Sequence, residues 1–347
     1  MILKPDGSVW STPISLPAII IASHNGGKKF VRLVTSGATA AAAGGAFSIV
    51  LKHDDSVWAL GRNSRGQLGD GTKASKRTFV FSKLIPGAMA VSAGGHHSLV
   101  LTEEGSVWAT GWNRYGQLGT DNPTSYLCRF RQIISGEVKD VAAGDAHSVV
   151  VKQDGSVWAA GRNYSGQLGD GSKTDTNNFV KVISSSAAHV AAGSGHSMIV
   201  MQDGSVWTTG WNENGQLGDG STIDRTNYAQ VVSGGVKSVA AGRRHSMLLK
   251  QDGSVWAAGH NVCSQFQDAS GSNCQVFVQV MFEGTEVIAA GAFHSMALTK
   301  DGSIWVMGSN EYGQFGDGST TSQNRFVKLH NGVRLSACFG SIYVLCF

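Results

Sequence analysis

The chain has 347 residues, a formal net charge of +4, 15% charged residues, 46 glycines and 5 prolines. It contains no run of 18 apolar residues, which excludes a membrane-spanning helix, and much glycine with little proline suits short strands joined by tight turns better than a disordered tail. Five cysteines, Cys128, Cys263, Cys274, Cys338 and Cys346, are odd in number and form no CxxC pair, which favours a reducing, cytoplasmic or nuclear setting and argues against a zinc site.

The chain opens on Met1-Ile2-Leu3-Lys4 and reaches DGSVW, ending at Trp10. Lys4 is balanced by Asp6 and no positive leader precedes the apolar stretch 16–22, so no signal peptide is expected. Residues 11–35 are a degenerate unit. From Ala43 onward the pattern is regular: AGGAFS, then DSVW ending at Trp58, then GRNSRGQLGDGT from Gly61. Gly61 and Gly66 have the spacing of a phosphate-binding loop, but Gln67 and Leu68 stand where such a loop needs lysine and a hydroxyl. Recurrence gives the better explanation. GWNRYGQLG (111–119), GRNYSGQLG (161–169), GWNENGQLG (210–218), a damaged GHNVCSQFQ (259–267) and GSNEYGQFG (308–316) follow. Cys263 and Cys274 lie in and beside the damaged copy and read as two unrelated thiols; the alternative is that they pair.

The hairpin tryptophans Trp10, Trp58, Trp108, Trp158, Trp207, Trp256 and Trp305 are spaced by 48, 50, 50, 49, 49 and 49 residues. An Ala-Gly-x-x-His-Ser segment keeps the same period and supplies His97, His147, His196, His245 and His294. Each unit reads as four strands, as in VKSVAAG (236–242), HSMLLKQ (245–251), SVWAAG (254–259) and a last strand such as FVKV (179–182). The Asp-Gly between the second and third is a tight-turn signal, expected to place both central residues at positive φ. Four antiparallel strands per unit, seven units and no helical periodicity predict an all-β, seven-bladed β-propeller occupying residues 1–347 as one domain. Both Met1–Lys4 and SIYVLC (341–346) match the second strand of a unit, so the ring is expected to close between the termini.

Positions identical in every unit should serve the fold. Trp58, Trp108, Trp158, Trp207, Trp256 and Trp305 are expected to be buried with their preceding valines between blades. The five histidines are expected to bond backbone; His and Ser adjacent in one strand face opposite sides and cannot form a dyad. No convergent metal ligands and no cofactor motif occur. Positions that vary are free for a partner. Strand direction puts the Ala-Gly-x-x-His loops and the GxNxx bends on one face and the Asp-Gly turns on the other. That first face would carry Arg62, Arg65, Trp112, Arg114, Tyr115, Arg162, Tyr164, Trp211 and Tyr312 from the bends, and Asp145, Arg243, Arg244 and Phe293 from the loops. Trp, Tyr and Arg are the types enriched at protein-binding hot spots. Residues 1–100 hold 11 Lys/Arg against 4 Asp/Glu, centred on Arg62, Arg65, Lys73, Lys76, Arg77 and Lys83, a weaker pointer to nucleic acid.

The strings Gly-x-Asn-x-x-Gly-Gln-Leu-Gly, Ala-Gly-x-x-His-Ser and Asp-Gly-Ser-Val-Trp resemble the regulator of chromosome condensation family, over nearly the whole chain. The resemblance implies the same propeller, in a family whose members include exchange factors, photoreceptors, ubiquitin-ligase subunits and scaffolds. Exchange factors for small GTPases of the Ran type place carboxylates in the Ala-Gly-x-x-His loops. Asp145 matches one such place, but Ser194 and Gly195 supply none in the next unit, and the constant spacing leaves no room for a wedge insertion there. Plant ultraviolet-B receptors carry a tryptophan where AGRRHS has Arg243. The resulting expectation is a non-enzymatic scaffold that binds an unidentified protein through the Trp, Tyr and Arg face; the alternative is a guanine-nucleotide exchange factor using Asp145.

Overall fold

A computed structural model describes residues 1–4, 6–11, 31–120, 125–260 and 273–329. Seven antiparallel sheets follow one another along the chain. The first blade comprises β1 (Ile2–Leu3), β2 (Val9–Ser11) and β3 (Val31–Val34). The second contains β4 (Ala38–Ala43), β5 (Phe47–Lys52), β6 (Ser56–Gly61) and β7 (Lys76–Leu84), and the third β8 (Ala88–Ala93), β9 (His97–Thr102), β10 (Ser106–Trp112) and β11 (Tyr126–Ser135). The fourth contains β12 (Val138–Ala143), β13 (His147–Lys152), β14 (Val157–Gly161) and β15 (Thr176–Ile183), and the fifth β16 (Ala187–Ala192), β17 (His196–Met201), β18 (Val206–Gly210) and β19 (Arg225–Val232). The sixth runs through β20 (Val236–Ala241), β21 (His245–Lys250), β22 (Val255–Gly259) and β23 (Cys274–Met281), the seventh through β24 (Thr285–Ala290), β25 (His294–Thr299), β26 (Ile304–Gly308) and β27 (Gln323–Lys328). Within each blade the strands pair in chain order, and the first strands of successive blades approach one another, so they line the centre of a seven-bladed β-propeller. No helix among the described residues is long and apolar enough to cross a membrane.

The core sits between blades. Ile49, Leu51 and Val57 of the second blade pack with Val91, Val100 and Phe130 of the third, and Val149, Val151 and Val157 of the fourth with Val190, Ile199 and Tyr228 of the fifth. The first blade joins the two ends of this series. Ile2 packs with Ala289, Met296 and Leu298 of the seventh blade, while Met1 and Val9 pack with Ala41, Ala43 and Val50 of the second. The C-terminal stretch 341–346, expected to match this blade's strand, lies outside the described residues, as do Cys263, Cys338, Cys346 and most of the degenerate unit 11–35.

Two local expectations need correction. The Asp-Gly turn has one left-handed residue, not two: Gly155 is at φ 77°, while Asp154 is absent from the residues with positive φ. Gly155 N–H closes the turn on Lys152 O at 2.9 Å, and the Asp154 carboxylate accepts Ser156 N–H at 2.8 Å. This is the behaviour of a three-residue hairpin loop ending in a left-handed residue, for which glycine has no steric cost. The hairpin tryptophans are half-buried rather than sealed between blades, whereas the preceding valines Val57, Val107, Val157, Val206 and Val255 are 0% exposed. The indole keeps a polar edge and a wet face: Trp158 Nε1 donates to Ser156 Oγ at 3.0 Å, and the Lys152 ammonium lies 5.0 Å from the ring centroid, an arrangement repeated at Trp58 with Lys52 and at Trp256 with Lys250. Burial worth roughly 1.5–3 kcal/mol therefore belongs to the valine, and only part of it to the tryptophan.

The histidines also differ from expectation. Four of the five, His97, His147, His196 and His245, bond not backbone but the serine of the next blade. His97 Nε2 lies 2.9 Å from Ser148 Oγ, His147 from Ser197 at 2.9 Å, His196 from Ser246 at 2.9 Å and His245 from Ser295 at 3.0 Å. Ser148 Oγ in turn donates to Gln117 O at 2.6 Å, Ser197 to Gln167 O and Ser246 to Gln216 O at 2.7 Å. Because the serine proton is committed to the carbonyl, the serine can only accept from the imidazole, which assigns the proton to Nε2. The hydroxyl is thus occupied and buried. Burial holds His97, His147 and His196 neutral, with pKa values lowered from 6.5 to about 3, and His245 to about 4. Phe47 takes the histidine's place in the second blade, 1% exposed.

Replacing Ser197 with alanine strands the His147 Nε2 donor and the Gln167 carbonyl; a loss of about 1–3 kcal/mol is expected, read as a lower urea midpoint with an unchanged slope. The buried histidines also set an acid limit. Their folded pKa values lie below the unfolded 6.5, so the stability they contribute is fully present above pH 6.5 and is lost as pH falls toward about 3. Urea midpoints measured from pH 8 to 4 should fall below about pH 6.5, and His147→Phe should flatten that fall by up to ~1.4 kcal/mol per pH unit.

Candidate functional site

The two variable loops of each blade are tied together by backbone. The N–H of the first free bend residue donates to the carbonyl of the second free loop residue: Arg62 to Ala46 at 2.8 Å, Trp112 to His96 at 2.8 Å, Arg162 to Ala146 at 2.9 Å, Trp211 to Gly195 at 2.7 Å, His260 to Arg244 at 2.8 Å and Ser309 to Phe293 at 2.7 Å. The loops are also tied to those of the next blade, through Gly45 N to Gly94 O, Gly95 N to Gly144 O, Asp145 N to Gly193 O and Ser194 N to Gly242 O, at 3.1–3.3 Å. Gly144 shows why the approach needs glycine: a Cβ there would lie 2.3 Å from the His147 ring and 2.7 Å from Gly193 O. Both loop sets therefore belong to one face, built on a rigid backbone.

The bends satisfy their own polar groups. Asn63, 0% exposed, accepts Leu68 N–H at 3.0 Å and donates to Asp70 and to Thr72 O; Asn163 and Asn212 repeat the pattern. Gln67 Oε1 accepts Arg65 N–H at 2.9 Å. The constant letters of the bend hold its shape, so the variable side chains are free to project.

Across the second, third and fourth blades these side chains form a ladder. The Arg65 guanidinium lies 5.4 Å from the Trp112 ring centroid. Trp112 meets the His96 ring edge-on at 5.6 Å and the Tyr115 ring at 5.1 Å. Arg162 lies 5.5 Å from Tyr115 and 5.9 Å from Tyr164. Tyr164 is 72% exposed; Arg62, Arg65 and Arg114 are exposed, and Trp112, Tyr115, Asp145 and Arg162 half-buried. Burial lowers the pKa of His96; Asp145 opposes this, and Arg62 and Arg65 add to it. A second group spans the fifth to seventh blades. Arg244 lies 5.3 Å from Trp211, Arg243 5.5 Å from Phe293, and His260 6.1 Å from Phe293. Trp211 rests against Gly195, where a Cβ would lie 3.3 Å from its own Cβ. Tyr312, 67% exposed, makes no ring contact among the described residues.

The basic run expected between Arg62 and Lys83 does not form one surface. Arg62 and Arg65 sit on the loop face. Lys76 pairs with Asp70 at 3.2 Å, Lys73 lies 3.8 Å from the Tyr126 ring, and Lys83 lies 4.5 Å from the Trp108 ring at the opposite end of β7. Among the described residues no group of three or more His, Cys, Asp or Glu side chains converges to hold a metal ion.

Residues 82–346 match the RCC1-like domain, and residues 54–101 match the regulator of chromosome condensation (RCC1) repeat. No curated protein sequence matches the chain. Among solved structures, the fold is similar to human WBSCR16, at 24% identity and a TM-score of 0.82, covering 92% of this chain and 87% of that one. It is also similar to Prp20p from Saccharomyces cerevisiae, a structure described with its binding to Gsp1p and histones, at 19% identity and a TM-score of 0.74, covering 84% and 76%. The same yeast protein bound to Kap60 matches at 20% identity and a TM-score of 0.74. At these identities the likenesses are of fold.

The ladder has a stability signature. Trp112→Ala removes the ring shared by Arg65, His96 and Tyr115 and should cost about 1–3 kcal/mol in urea unfolding, whereas Tyr164→Ala, at an exposed end, should stay within about 0.5 kcal/mol.

Proposed function

Because this chain belongs to the RCC1-like domain family, and because of what its loop face carries, we propose that it is a non-enzymatic scaffold that binds a partner protein through that face. One observation carries the reading. The residue types that dominate protein-binding hot spots, Trp, Tyr and Arg, are concentrated at the variable positions of loops whose constant positions already complete the fold, and they form a continuous ladder over three blades. A rigid backbone beneath them limits the ordering entropy that association would cost.

A second reading has its own observation. Asp145 stands on the same face, beside His96, at a place where exchange factors of this family carry a carboxylate. The yeast neighbour's binding to Gsp1p and histones also involves protein partners. Against exchange, Ser194 and Gly195 offer no second carboxylate and the unit holds no insertion.

The readings separate by mutation. With the protein immobilised to retrieve partners from cell extract, Trp112→Ala and Trp211→Ala should each lower recovery of the specific partner by about tenfold or more, and Asp145→Ala should leave it unchanged. Release of a fluorescent guanine nucleotide from a panel of Ran-like GTPases should not accelerate; acceleration that disappears in Asp145→Ala would replace the scaffold reading with the exchange reading.

A further inference from the structure

We infer that the arc formed by the second to fourth blades recognises a carboxylate-rich segment of its partner protein, with Arg65 and Arg162 as the binding groups and Trp112 and Tyr115 as the surfaces that hold them. This inference rests on the loop face being the binding face.

The first support is unmatched charge. Arg62, Arg65, Arg114 and Arg162 project from this arc; of the carboxylates in its described loops, Asp70, Asp170 and Asp175 are bonded within their own bends, and Asp145 lies beside His96. Among the described residues none of these arginines makes an ion pair, and the one side-chain hydrogen bond they donate is from Arg62 Nε to Ser64 Oγ, at 3.2 Å. The chain does pair other cations, themselves half-buried, with carboxylates, as in Lys76 with Asp70 and Arg225 with Asp219. Guanidinium groups left without an acceptor are the complement of a partner's carboxylates.

The second support is the way the cations are held. Arg65 lies over Trp112 and Arg162 over Tyr115. A ring beneath a guanidinium attracts its charge but takes none of its five N–H donors, so the fork that matches a carboxylate stays available and loses less freedom on binding. The Trp112–Tyr115 contact joins the two into one unit, so carboxylates spaced along one segment can be met together.

The same geometry disfavours nucleic acid. Single strands are bound by bases stacking on open ring faces. In this ladder Trp112 and Tyr115 already meet a guanidinium each and pack edge-on with one another. Lys76 is paired with Asp70 and Lys83 lies at the opposite end of β7, so these lysines do not line up to track a phosphate backbone.

The test uses the full chain and fluorescence anisotropy of three probes: a peptide of about twelve residues rich in Glu, the same peptide with Gln at every Glu, and an oligo(dT) strand of comparable charge. The Glu peptide should bind, the Gln peptide should not, and affinity should fall as salt rises. Arg65→Gln with Arg162→Gln should weaken binding about tenfold or more, and Arg65→Lys with Arg162→Lys should restore only part of it, because an ammonium lacks the planar fork. Lys52→Gln, on the Asp-Gly turn side, should change nothing, and equal urea midpoints should show that the variants fold. Equal binding of the Glu and Gln peptides, insensitivity to the arginine pair, or preference for oligo(dT) would overturn the inference. If partner recovery still depends on Trp112 while the arginine pair has no effect, the face remains the binding face and only its acidic specificity is lost; if neither matters, both readings fail.

Discussion

The ring depends on how closely neighbouring blades approach at the Ala-Gly-x-x-His loops. The Gly144 backbone meets the carbonyl of Gly193 on one side and the ring of its own His147 on the other, at separations no Cβ could share. That approach brings the imidazole of one blade within 2.9 Å of the serine of the next, and the serine within reach of a bend carbonyl of the first blade. Three groups that would each be costly to bury alone are thereby satisfied together. Repeated from blade to blade, the bond turns separate hairpin sheets into a connected body, while valine and leucine packing between blades supplies the apolar burial.

This division of labour makes a binding face possible. Asn63, Gln67, Leu68 and their counterparts complete the bend from within, so Arg62, Ser64 and Arg65 carry no structural duty that restricts their identity. The same holds for Trp112 and Arg162, whose backbone N–H groups staple the loops whatever side chain they bear. The loop face can therefore change its chemistry without changing its shape. Here it has accumulated stacked arginines and aromatic rings on one arc and left small residues, Ser194 and Gly195, on another.

Repetition made most of the architecture legible. Period, strand count and the sharing of one face by the two variable loops all follow from direction reversal at each turn, and the backbone staples agree. Where expectation failed, the missing information lay between units. His147 and Ser148 do face opposite sides of one strand, but the serine that matters is Ser197, fifty residues on. The tryptophans looked like core because of their size, yet the serine and lysine that solvate Trp158 come from its own hairpin. The basic run at 62–83 is continuous in sequence but not in space, because β7 carries Lys76 and Lys83 to opposite ends of a blade.

By itself the sequence determined that this chain is a seven-unit propeller and which positions of each unit are bound to the scaffold. Local rules suffice for that: alternation along strands, glycine at a left-handed turn, and identity from unit to unit. Only the tertiary structure decided which variable side chains act together. Arg65 and Trp112 are 47 residues apart, as are Tyr115 and Arg162, and they meet only because each blade is rotated into contact with the next. Stacking and charge fall off over a few ångströms, so the chemistry of the face depends on that rotation.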